Sequence, residues 1–286
     1  MEDVLKISRP TGAPAPVVFD SPHSGRHFPA DAGAELDVAR LGIGADRLVD
    51  ELFADAPQHG AVLIAAHFSR AYIDPNRHEN DLDPGMLDEP WPQPLRPTAS
   101  TKRGRGLIWR YTGKGEAIYG DRRLGTREIR QRVENYWRPY HDALAEALDG
   151  LHARFGAVWH VNCHSMGSIG RKRHPDPGRQ RADFTISDRD GSTCDAAFLD
   201  HVGQTLGEMG YSVAINDPYL GMELIRRHGR PRHDRHSMQI EINRRLYLDE
   251  KTMRRHDGFE RLREDLSRLA ASVCDYARAA SRADVA

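Results

Sequence analysis

The chain has 286 residues, 39% of them hydrophobic, with 41 basic side chains against 42 acidic ones. Such a balance excludes a global field that recruits nucleic acid or an anionic membrane, and no run approaches the roughly 18 apolar residues of a membrane span. Three cysteines (Cys163, Cys194 and Cys274), an odd number without zinc-type spacing, argue against a disulfide framework and suit a reducing cytoplasm.

Short apolar runs alternate with longer helical patterns. The first run, 17-VVFDS-21, contains Asp20 and leads into the turn SPHSG, which carries His23. Leu48, Leu52 and Phe53 predict a helix near residues 45–55 that Asp46 begins. The run 61-AVLIAA-66 predicts a strand, and 69-SRAYIDPNRHEND-81 after it places Arg70, Asn76 and Arg77 around a proline turn. Residues 78–120, rich in Pro, Gly and Arg, read as a long loop excursion of the kind that often carries function.

Ile129, Val133, Tyr136, Trp137, Tyr140, Leu144 and Leu148 recur at helical spacing, and Pro139 should bend that helix or remove one of its hydrogen bonds. A strand is expected at 157-AVWHVN-162, followed by His164. Further strands are expected at 183–187, 211–216 and 237–243, and further helices at 195–209 and 257–277. Between them, 220-LGMELIRRHGRP-231 offers Arg226 and Arg227 behind a glycine. The runs read as continuously apolar, which suggests strands covered on both faces. The fold class expected is α/β: one domain, residues 1–286, with three α/β/α layers around a mostly parallel mixed sheet.

In a parallel α/β sheet, ligands gather outside the carboxyl ends of the strands. His23 and His164 both follow strands there. With Asp46 they would make a site of two imidazoles and one carboxylate that leaves a coordination position for water, the arrangement of catalytic zinc. Glu241, among apolar neighbours in QIEIN, could take the proton of that water and deliver it to a leaving nitrogen. The plainer alternatives are a dipole-favoured helix start for Asp46 and, for Glu241, a structural ion pair with Arg244, Arg245 or an arginine from another segment. Arg70, Asn76 and Arg77, with Arg226 and Arg227, suit the binding of carboxylates. Dinucleotide and phosphate-loop patterns are absent, and no G-x-S-x-G elbow surrounds Ser21, Ser24 or Ser165.

SPHSG, IGADRLVDEL, YIDPNR, NCHSM and above all ELIRRHG followed by QIEINRRLY, taken in this order, resemble the N-formylglutamate amidohydrolase family. The resemblance implies a fold similar to the zinc carboxypeptidases and to the aspartoacylase and succinylglutamate desuccinylase group. It also implies hydrolysis of N-formyl-L-glutamate, a small-molecule substrate, to formate and L-glutamate, a reaction of histidine degradation. The expected cofactor is a divalent metal, zinc as first choice, with His23 and His164 as ligands and Glu241 as general base. Arg70 is the candidate for stabilising the oxyanion. Arg70, Asn76, Arg77 and one of Arg226 or Arg227 are the candidate substrate binders. The carboxypeptidase pattern has a metal-binding glutamate three residues after its histidine, and here that residue is Arg26. Asp46 is therefore the choice for third ligand, with Asp20 and Glu79 as alternatives. Hydrolysis of another N-acyl or N-formyl acidic amino acid is the neighbouring expectation.

Overall fold

The computed structural model describes residues 4–37, 41, 44–172 and 174–283. In chain order its main elements are β1 (Leu5–Ser8), β2 (Val17–Ser21), α1 (Val49–Leu52), β3 (Val62–Ala66), α2 (Ala99–Lys102), α3 (Thr126–Arg132) and α4 (Arg138–Phe155). There follow β4 (Val158–Met166), β5 (Phe184–Ser187), α5 (Ala196–Glu208), β6 (Val213–Ile215), α6 (Glu223–His228), β7 (Arg235–Asn243), the small pair β8 (Leu248–Asp249) and β9 (Arg254–Arg255), and α7 (Gly258–Ala283). Among the described residues, seven strands form one sheet in the order β1-β3-β2-β4-β7-β5-β6. β2 and β4, β4 and β7, and β5 and β6 pair parallel, whereas β5 and β7 pair antiparallel. This is the expected α/β fold with a mostly parallel, mixed sheet.

The strands differ from expectation in one respect that matters for function. In β4, Trp159, Val161 and Cys163 alternate with His160, Asn162 and His164; in β7, Met238, Ile240 and Ile242 alternate with Ser237, Gln239 and Glu241. Successive side chains point to opposite faces, so each strand has one apolar and one polar face, and both are buried. The reading of these strands as continuously apolar is corrected accordingly. β4 also runs beyond Asn162, because its pairing with β7 persists to Met166 opposite Asn243. His164 therefore lies inside the strand rather than after it.

Two further differences are local. The helix expected near residues 45–55 is reduced to α1, because Leu48 adopts a left-handed backbone (φ 66°) that a helix cannot pass through. Asp46 lies before this break, in no helix. Ahead of Pro139 the chain widens into a π turn over Val133–Trp137, which accommodates a residue without an N–H inside a long helical segment.

The chain forms two compact units. One comprises Met1–Lys6, Pro22–Asp46 and Ala65–Ala143; the other comprises Ile7–Ser21, Arg47–Ile64 and Leu144–Ala286. The second unit holds the main core, where Phe19, Trp159, Val161, Met238, Ile240 and Ile242 of the sheet meet Phe198, Val202 and Leu206 of α5 and Leu262, Leu266, Leu269 and Val273 of α7. The first unit packs around aromatic rings in edge-to-face contact, Phe28 on Tyr72, Tyr72 on Tyr136 and Phe68 on Tyr136. Buried there, the Arg132 guanidinium lies 4.2 Å over the Tyr72 ring and donates to the Tyr119 hydroxyl at 2.7 Å. An arginine is tolerable in such a place because both of its Nη groups donate, to the Tyr72 carbonyl, the Tyr119 hydroxyl and Glu128, and its face is stacked.

Candidate metal centre

His23 lies on the turn after β2, and Asp46 on the segment that leads to α1. The turn after β2 carries Gly25 where a Cβ would lie 2.4 Å from the backbone of His67 and Phe68, so only glycine lets the two segments approach. The Asp46 N–H donates to the His23 carbonyl at 2.9 Å, and the Ser24 hydroxyl donates to the Asp46 carbonyl at 3.1 Å. These bonds fix the side chains against each other. His23 Nδ1 lies 3.3 Å from Asp46 Oδ2, and Nε2 lies 2.7 Å from Asp74 Oδ1.

Asp74 is fully buried and densely partnered. Arg70 donates from Nε and Nη2 to its Oδ2 at 3.1 and 2.9 Å, and the Asn76 N–H donates to its Oδ1 at 2.9 Å. Burial pushes the Asp74 carboxyl upward, yet the charges of Arg70, His23 and Arg77 outweigh it and hold the group well below the usual carboxylate range. Arg70 also places Nη1 3.7 Å from Asp46 Oδ2 and its guanidinium 5.1 Å from the Trp109 ring. Arg77 is buried, donating to the carbonyls of Asn76 and Arg105 at 2.9 and 3.3 Å. Thus His23, Asp46, Arg70, Asn76 and Arg77 gather around one aspartate.

His164 and Glu241 are register partners on adjacent parallel strands and so share the polar face of the sheet. Gln239 Nε2 donates to Glu241 Oε1 at 3.0 Å, orienting the carboxylate. Burial, then the Glu241 charge, pushes the Tyr219 phenol up to about 12, so Tyr219 is a proton-bearing neighbour at ordinary pH. Arg181 lies within the electrostatic reach of the same carboxylate. Arg244, three residues beyond Glu241, donates from Nε to the Ser165 hydroxyl at 2.9 Å, beside His164. Arg226 and Arg227 are on α6, where both guanidinium groups hold the buried Glu223 at 2.6 and 3.0 Å.

His23, Asp46 and His164, all buried, offer ligand atoms that lie within 4.8 Å of one another, and this group could hold a metal ion. The donor chemistry fits. The acceptor-only Asp74 carboxylate receives the Nε2 proton of His23, which leaves Nδ1 facing a second carboxylate, Asp46. An imidazole between two carboxylates needs a cation, a second proton or a metal, on the side of the second one. His164 in turn donates Nε2–H to Asn162 Oδ1 at 2.6 Å, which leaves Nδ1 as the nitrogen it could offer to a metal. Of the alternatives to Asp46, Asp20 accepts from His160 and Asn162 at 2.9 and 2.7 Å, and Glu79 is half-buried.

Several residues of this arrangement escaped the sequence reading. Asp74 sits inside the stretch singled out for Arg70, Asn76 and Arg77, and its signal was an acidic residue placed among bases. Asn162 and Gln239 were hidden in runs read as apolar; the H-x-N-x-H and S-x-Q-x-E alternations were the signal. Trp109, Arg181 and Tyr219 come from distant loops and left no local mark.

A family model described as N-formylglutamate amidohydrolase matches residues 15–248. The chain is 29% identical over 283 residues to an N-formylglutamate deformylase of Pseudomonas aeruginosa, covering 97% of this chain and 98% of that one. The crystal structure of an N-formylglutamate amidohydrolase from Ralstonia eutropha JMP134 matches with a TM-score of 0.93 and 46% identity, over 97% of this chain and 99% of that one. A gene product of Agrobacterium tumefaciens, 18% identical with 96% of each chain covered, shares the fold at a TM-score of 0.69.

Proposed function

The chain belongs to the N-formylglutamate amidohydrolase family, and on that premise we propose that it hydrolyses N-formyl-L-glutamate to formate and L-glutamate within a single catalytic domain. The observation that carries this reading is the buried pair of imidazoles with one carboxylate, His23, His164 and Asp46. These residues would hold a divalent cation, zinc first, which when bound supplies the Lewis acidity that polarises a formyl carbonyl and acidifies water.

Glu241 accepts one proton of the attacking water and passes it to the amide nitrogen as the C–N bond breaks, so formate leaves and an amine is released. Its register position opposite His164 and its hydrogen bond from Gln239 support that role. Arg70, pinned by Asp74 and stacked near Trp109, offers a preorganised positive charge to the developing oxyanion. Asn76 and Arg77, with Arg226 or Arg227, read the substrate carboxylates; on α6 this means exchanging part of the hold on Glu223 for the ligand. A site built to pair two carboxylates rejects substrates that leave its cations unpaired.

The test is formate release from N-formyl-L-glutamate by purified protein, before chelation, after it, and after zinc is restored, with acetyl- and succinyl-glutamate in parallel. Activity on the formyl compound that disappears and returns supports the proposal. Turnover of acetyl- or succinyl-glutamate alone moves the substrate to another N-acyl acidic amino acid. Undiminished activity after complete chelation would remove the metal from the reading.

A further inference from the structure

The polar face of the sheet carries more than the reaction uses. Ser237, His160, Asp20, Asn162 and His164 form a continuous buried chain on β2, β4 and β7. His160 Nδ1 meets the Ser237 hydroxyl at 2.7 Å, and His160 Nε2 meets Asp20 Oδ1 at 2.9 Å. The same carboxylate oxygen accepts from Asn162 Nδ2 at 2.7 Å, and Asn162 Oδ1 accepts from His164 Nε2 at 2.6 Å. The register explains how they meet: Asp20 pairs with Asn162, and His160 with Ser237.

Asp20 and His160 could be taken for a serine-type relay with Ser237. Ser237 is fully buried, which denies a substrate access to its hydroxyl. The direction of the hydrogen bonds suggests another role. An ionised carboxylate only accepts, so Asp20 selects the amide orientation of Asn162 in which Nδ2 faces it. That orientation turns Oδ1 toward His164 and requires a proton on Nε2. A neutral imidazole protonated at Nε2 carries its lone pair on Nδ1.

We propose that Asp20, acting through Asn162, is a positioning residue that locks His164 in its Nε2–H tautomer and so presents Nδ1 as a ligand, with His160 and Ser237 fixing the carboxylate from the other side. The tautomer half of this proposal concerns the protein alone. Its consequence for metal rests on the assignment of His164 as a ligand.

Two readouts separate those halves. In chelator-treated full-length protein, long-range nitrogen–proton NMR of the imidazoles reports which ring nitrogen of His164 carries hydrogen. Zinc affinity, measured by competition with a chromophoric chelator, reports ligation. Wild type is expected to show the Nε2–H form. Asn162→Leu should lose that preference and weaken zinc by about 10–100-fold, the usual effect of removing such a partner. Asp20→Asn keeps the size and one acceptor but frees the Asn162 amide to rotate; it should show a mixture of tautomers and a smaller loss, and it serves if Asn162→Leu does not fold. Ser237→Ala, at the far end, should change affinity least.

An unchanged His164 tautomer in folded Asp20→Asn and Asn162→Leu overturns the proposal, whatever zinc does. A shifted tautomer with zinc affinity unchanged in both variants keeps the lock and removes His164 from the ligand set. If wild type binds no zinc, the metal reading fails while the NMR result still decides the tautomer lock.

Discussion

His23 has a carboxylate against each ring nitrogen, and the two have unlike surroundings. Asp74 is saturated by Arg70, the Asn76 amide and His23 itself, whereas Asp46 faces the ring from the side where a ligand lone pair points. A carboxylate behind a ligating imidazole fixes the ring and raises its basicity. Asp74→Asn should therefore weaken zinc binding by about 10–100-fold while the protein remains folded, as read by chelator competition beside a circular-dichroism melt. Unchanged affinity would mean that Asp74 serves Arg70 alone. Glu241 has a different proposed task, since a general base must change protonation during turnover. Replacing it with Gln keeps the shape and a hydrogen-bonding partner for Gln239 but removes the base. Turnover should fall about 10²–10⁴-fold with the substrate dissociation constant within a few-fold of wild type, and steady-state kinetics with calorimetric titration distinguish these. An equally active Glu241→Gln would place the base elsewhere.

At the level of elements, what a sequence discloses depends on how local the controlling physics is. The stripe of Phe259, Leu262, Leu266, Leu269 and Val273 was legible because a single helix face dictates it, and α7 buries each of these residues. Leu269→Ala should cost about 2–5 kcal/mol, measured as a lower urea midpoint with the slope retained, because the packed neighbours on α5 and the sheet cannot close the gap. A loss under about 1 kcal/mol would show that the core relaxes around the site. The polar face of β4 and β7 was legible only in part. His164 and Glu241 stood out singly, but the chain from Ser237 to His164 depends on the parallel register of three strands, which no local pattern encodes. Asp46 was chosen as a candidate ligand while its setting was misread: the left-handed Leu48 cuts the helix short, and a leucine carries no signal for positive φ. Arg226 and Arg227 looked available for a substrate because their common anchor, Glu223, lies one helical turn earlier and reads from sequence as one more surface charge.

For the whole molecule, a net charge of −1 with neutral histidines leaves little global electrostatic strain near pH 7, so acid sensitivity must come from particular groups. His228, at the end of α6, is a strong candidate. Burial first, and then the neighbouring His160, moves its pKa down from the ordinary 6.5 to about 3, against the opposing pull of Asp20 and Asp149. Folded protein therefore holds this imidazole neutral over a range in which the unfolded chain binds a proton. The unfolded state has more bound protons there, so the contribution to stability is whole above pH 6.5 and is lost progressively as the pH falls toward about 3. The slope from this one group approaches about 1.4 kcal/mol per pH unit in the middle of that window. His228→Gln removes the titration, so its urea midpoint should fall less than that of wild type between neutral pH and about pH 5. Equal slopes for the two proteins would show that His228 takes its proton without unfolding. The comparison is best made on chelated protein, because release of any bound metal on acidification would add its own linked loss of stability and mask the contribution of a single buried ring.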